Sequence, residues 1–124
     1  MTLLYMRRIL SSGLTLLLLD AVFLSLIAPV FNAQIIAVQG SPIKMNPLGA
    51  VLSYVFLIFA LNYFILRENR PIKDAFLLGL AIYGTYEATS LALLRQWRIQ
   101  TVVIDTLWGG VLFAATTAIV YRFF

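Results

Sequence analysis

Apolar residues run along this chain in four long, nearly unbroken stretches rather than in alternating or half-polar patterns. They extend over about 9–28, 47–66, 72–94 and 101–121. Crossing a hydrocarbon layer about 30 Å thick takes a helix of about 20 mostly apolar residues, and each stretch meets that length. Strands of a membrane barrel would show short alternating segments, so continuous runs predict helices. Proline punctuates the pattern. Pro47 and Pro71 stand at helix starts, where a missing N–H costs nothing. Pro29 follows the first run and is expected to kink or end it.

Short connections at Asn69-Arg70-Pro71 and Arg95-Gln96-Trp97-Arg98 make successive helices antiparallel neighbours. The fold class expected is therefore all-α: a single transmembrane domain, a four-helix bundle running up-down-up-down. The longest connection, 30–46, mixes apolar and amide residues. It either extends the first helix into the headgroups or lies along them, until Gly40-Ser41-Pro42 breaks it. Arg7 and Arg8 before an apolar run resemble the start of a signal peptide. The run is long, Asp20 interrupts it and no clean small-residue cleavage site follows, so it is read as a retained helix. Thr2 stands where myristoylation needs glycine.

Composition narrows the picture further. Of 124 residues 62% are hydrophobic and 11% charged, far from the roughly 25% charged residues of a soluble domain. The chain has no cysteine and no histidine, which excludes disulfides, thiolate metal sites and imidazole chemistry. No metal and no cofactor is expected. The net charge of +4 is topological. Arg7, Arg8, Arg67, Arg70, Lys73 and Arg122 share one side, and Lys44, Arg95 and Arg98 the other. The positive-inside rule then places both termini in the cytoplasm. The lipid bilayer is the expected partner. Nucleic acid is not, because no basic platform stands outside the membrane.

Candidate chemistry lies in the ionisable residues inside the runs. Asp20 sits near the middle of the first helix, where a charged aspartate costs roughly 2.5–3.5 kcal/mol on insertion scales. Glu87 and Asp105 lie in the third and fourth helices, toward the non-cytoplasmic half. Arg95 is expected to reach back toward these acids on its long stem. Tyr83, Glu87 and Ser90 share one stripe, flanked by Tyr86, and Asp105 and Trp108 share another. The two stripes are expected to face each other and Asp20. Such a cluster serves either as packing glue that fixes helix register or as a functional polar site. Asp105 favours a structural or capping role, and Trp108 more often packs or anchors than stacks on a ligand. Asn62 reads as an interhelical hydrogen bond. Gly110, Ala114 and Ala118 form a small-residue stripe for close packing within a chain or between identical chains, so a homo-oligomer is an expected partner state.

The run Ile82-Tyr83-Gly84-Thr85-Tyr86-Glu87-Ala88-Thr89-Ser90-Leu91-Ala92, then Trp97, then Val103-Ile104-Asp105-Thr106-Leu107-Trp108-Gly109, resembles domain-of-unknown-function family 2177, small membrane proteins. Asp20-Ala21-Val22-Phe23-Leu24 is similar to the family's first helix. The family pattern carries aspartate where Glu87 stands and asparagine where Ser90 stands. The resemblance implies a four-helix membrane protein and brings no activity with it. Three readings follow from the residues: binding or transport of a small polar species or proton at the carboxylates, an assembly subunit of a membrane complex, and a lipid-modifying enzyme or its accessory. The last ranks lowest, since no nucleophile–base pair is identifiable.

Overall fold

The computed structural model describes residues 2–124, and all regular structure among them is helical. Helix α1 spans Leu3–Gln39, α2 Pro47–Leu61, α3 Ile72–Leu93 and α4 Ile99–Phe123. A π-helical turn, Asn62–Leu66, continues α2. All four helices are long and apolar enough to cross a membrane. The expected all-α bundle is therefore the observed one.

The first helix takes one of the two courses left open by the sequence, continuing past Pro29 to the Gly40-Ser41-Pro42 break. It neither stops at Pro29 nor fits the bilayer, since 37 residues at about 1.5 Å each reach about 55 Å. Membrane helices tolerate an internal proline where neighbouring groups satisfy the freed backbone. Beyond Pro29 two amides of the mixed segment, Asn32 and Gln34, find partners outside the helix. Gln34 is 2% exposed and holds the α3–α4 connection. Asn32 accepts a hydrogen bond from the Ile43 amide at 3.2 Å. Gly40, at φ 78°, then ends the helix with its N–H on the Ile36 carbonyl. Only a residue without Cβ adopts that left-handed cap cheaply.

Helices α3 and α4 are the most closely packed pair. Glycine makes this possible. A Cβ at Gly79 would run into the Gly109 backbone carbonyl, and one at Gly109 into the Tyr83 ring. A Cβ at Gly110 would meet the Phe76 ring at 2.7 Å. The glycine heading the expected small-residue stripe thus faces α3 of the same chain. Helix α1 packs on α4, and α2 makes its contacts chiefly with α1. The core is a compact set including Leu16, Leu61, Leu66, Leu112, Phe113 and Val120. Many other large apolar side chains face outward, Leu26 and Leu48 among them, as a lipid-facing surface requires.

At the end carrying both termini, the π turn exposes backbone carbonyls that side chains then satisfy. Arg8 Nη1 donates to the Leu66 carbonyl at 2.6 Å and to Asn69 Oδ1 at 2.8 Å. Asn62 Nδ2 donates to Ser12 Oγ at 2.9 Å and to the Ile58 carbonyl at 2.8 Å, which is the interhelical bond expected of it. Tyr121 donates to the Arg70 carbonyl at 2.7 Å.

Candidate functional site

Asp20 is 6% exposed and lies on the inner face of α1. Both of its oxygens accept hydrogen bonds from other helices. Trp108 Nε1 of α4 donates to Oδ1 at 2.9 Å, and the Tyr54 hydroxyl of α2 donates to Oδ2 at 2.5 Å. Phe23, one turn along α1, stacks on the Trp108 ring with centroids 4.5 Å apart and planes 4° from parallel. The spacing of Asp20 and Phe23 puts both on the α1 face that meets α4. A single indole thus offers its N–H to the acid and its face to the phenyl ring.

Glu87 is 1% exposed. Its partner is Trp97, whose indole Nε1 donates to Oε1 at 2.9 Å. Trp97 folds back from the α3–α4 connection and is itself buried. The connection reverses at Gln96, which takes a left-handed φ of 64°. Gln34 of α1 clamps it. Its Nε2 donates to the Gln96 carbonyl at 2.5 Å, and its Oε1 accepts from the Arg98 amide at 2.9 Å and from Thr101 Oγ1 at 3.1 Å. The first N–H groups of a helix lack intrahelical acceptors. Arg98 supplies no side-chain cap, so α1 caps α4 from outside.

Asp105 lies beside Glu87, with Asp20 farther along the same interior. It is half-buried and opens into a crevice of about 330 Å³. Ser53, Phe56 and Leu57 of α2 line one wall, and Ile82, Tyr83 and Tyr86 of α3 the other. The crevice opens sideways between α2 and α3. Its mouth therefore faces the lipid-exposed flank of the bundle, where the α2 residue Phe56 is exposed.

Two expectations about the cluster divide here. Trp108 meets Asp20, Asp105 lies beside Glu87 and shares the crevice with Tyr83 and Tyr86, and Ser90 is buried one turn from Glu87. Arg95 does not join. It is exposed and makes neither an ion pair nor a hydrogen bond among the described residues. An arginine at a helix end gains more from headgroups and water than from burial, while an indole carries one donor into the interior without a charge. Both ion pairs among the described residues, Arg67–Glu68 at 3.4 Å and Arg70–Asp74 at 3.5 Å, lie at the other end. Among the described residues the three interior carboxyl groups therefore form no ion pair with a cationic side chain.

Tyr54 and Gln34 are contributors that the apolar pattern conceals. Their signal is polar atoms that burial does not leave unpartnered, on Tyr54 inside the second apolar run and on Gln34 in the mixed segment after Pro29. Among the described residues no group of three acidic, histidine or cysteine side chains has the geometry to hold a metal ion.

A family model described as predicted membrane protein (DUF2177) matches residues 5–122. Comparison with curated proteins and with solved structures gives no match.

Proposed function

The chain belongs to the DUF2177 family of predicted membrane proteins, and from that premise we propose that it binds a proton or small cation at Asp20, Glu87 and Asp105 and carries it through the membrane interior. The observation that supports this most is that, among the described residues, no basic side chain forms an ion pair with any of the three neighbouring carboxyl groups. Carboxyl groups crowded together in a poorly solvated interior repel when ionised, and a bound proton or cation relieves that repulsion. The neutral donors Tyr54, Trp97 and Trp108 orient Asp20 and Glu87 without cancelling their charge.

The crevice is the entrance. Asp105 supplies a carboxyl group, and Tyr83, Tyr86 and Phe56 supply ring faces that attract a cation. An amphipathic amine arriving from the lipid suits such a wall, with its charge on Asp105 and its apolar part among the rings. By the bias of lysine and arginine, both termini face the cytoplasm and the crevice lies toward the opposite half. We read the transporting unit as an assembly of identical chains, because four helices enclose little volume by themselves.

A second reading has its own support: every bond to Asp20 and Glu87 also ties one part of the fold to another. In that reading the chain is an assembly subunit and the carboxylates fix register. Thermal midpoints in mild detergent, measured with sodium, potassium and tetraethylammonium, separate the two. Cation transport predicts that at least one of these raises the midpoint of the wild type and not of Asp105→Asn, while proton transport leaves both unmoved by cations and shows instead as proton flux into vesicles. The assembly reading predicts midpoints that no cation shifts, in the wild type and in Asp105→Asn alike.

A further inference from the structure

At the end of the bundle carrying both termini, on the outer flank between α1 and α2, lies a second and larger concavity of about 540 Å³. Its volume falls inside the roughly 300–1,000 Å³ typical of ligand pockets. Ile9 of α1 and Val55, Ile58 and Phe59 of α2 form walls that are apolar throughout. The π turn forms its terminal-end wall, and Arg8 and Arg67 stand there. π turns inserted in a helix frequently mark functional sites.

The charge at that end is not balanced within the protein. Arg8 spends its hydrogen bonds on neutral oxygens, the Leu66 carbonyl and Asn69 Oδ1, so no carboxylate neutralises it. Arg67 lies over the Tyr63 ring, 4.0 Å from its centroid, and its only acidic contact is the exposed Glu68 at 3.4 Å. Exposed pairs of this kind contribute little. An apolar trough leading to two guanidinium groups at headgroup depth has the polarity of a phospholipid, with hydrocarbon below and negative charge above.

We propose that this groove holds an anionic phospholipid. One acyl chain lies against Ile9, Val55, Ile58 and Phe59, and the phosphate sits at Arg8 and Arg67. The occupant is anionic rather than zwitterionic because a choline headgroup would set a third positive charge beside the two arginines. The site is separate from the carboxylate crevice and stands or falls independently of it.

The test is native mass spectrometry of the purified chain in detergent, with phosphatidylglycerol and phosphatidylcholine of identical acyl chains in competition. The wild type should retain phosphatidylglycerol in clear excess. Arg67→Gln should cut that preference about fivefold, the usual effect of one basic residue at an anionic surface. Arg67 is exposed, so this variant keeps the fold. Val55→Trp, which fills the groove, should lower retention of both lipids. Arg122→Gln removes an arginine of the same end that does not line the groove, and should leave the preference unchanged. Equal retention of the two lipids by the wild type would overturn the proposal. So would equal losses in Arg67→Gln and Arg122→Gln, which would reduce the effect to general surface charge.

Discussion

The two buried acids are each held by aromatic donors, and this decides which substitutions matter. Removing a donor from a buried acceptor costs about 1–3 kcal/mol, because the acceptor loses its partner and cannot regain water. Trp97→Phe should therefore destabilise by about that amount, leaving Glu87 without its indole. Tyr54→Phe should do the same through Asp20. Arg95→Gln should change stability by less than about 0.5 kcal/mol, since the side chain is exposed and unpaired. Thermal midpoints in one detergent check all three together, and a large effect of Arg95→Gln would restore the ion pair expected from sequence. The deep Thr117 hydroxyl has no hydrogen-bond partner among the described residues; Thr117→Val should raise stability by about 1 kcal/mol. Helical spacing alone identified the acids and Trp108, because period and hydropathy place such residues on an inner face. The donors to Glu87 and to Asp20 from α2 were hidden, because a loop tryptophan and a tyrosine in an aromatic-rich helix look the same whether they meet lipid or an acid.

Helix boundaries were legible wherever proline or an asparagine cap marked them. Asn46 accepts the Leu48 amide at 3.0 Å and Pro47 begins α2. The break at Gly40 was legible too, but not the choice between a helix continuing through Pro29 and a segment lying along the headgroups. Pro29 signals a stop in isolation, but the continuation is held by contacts with residues far along the chain, and local pattern carries no record of them. Gln34→Ala should show this. It removes three hydrogen bonds, costing about 2–3 kcal/mol in all, and amide hydrogen exchange should accelerate in the first turn of α4 ahead of the bundle core. Unchanged exchange there would mean that α1 does not cap α4. Close packing of α3 on α4 gives a second prediction at this scale. Gly79→Ala forces two helix backbones apart, so it should destabilise by several kcal/mol. Gly49→Ala meets nothing within 4 Å and should be neutral or stabilising by about 0.5–1 kcal/mol.

As a whole the molecule is a tight α3–α4 pair with α1 laid against it, and α2 attached mainly through α1. That uneven packing creates both concavities, one on each side of α2. Four membrane-spanning helices and their alternating order could be read from hydropathy. The separation of α2 from α3 could not, since an apolar surface packs equally well on lipid or on protein. The crevice so left opens onto Asp105, and in the proposed function it is the way in for a proton or cation. The central claim is that this route carries a proton or cation. Flux into proteoliposomes holding the purified chain tests it most directly, with Asp20→Asn, Glu87→Gln and Asp105→Asn compared at matched, verified folding. Flux in the wild type should exceed that of empty liposomes and should be lost in all three folded variants. Wild-type flux no greater than that of empty liposomes, or full flux in the three variants, would contradict it.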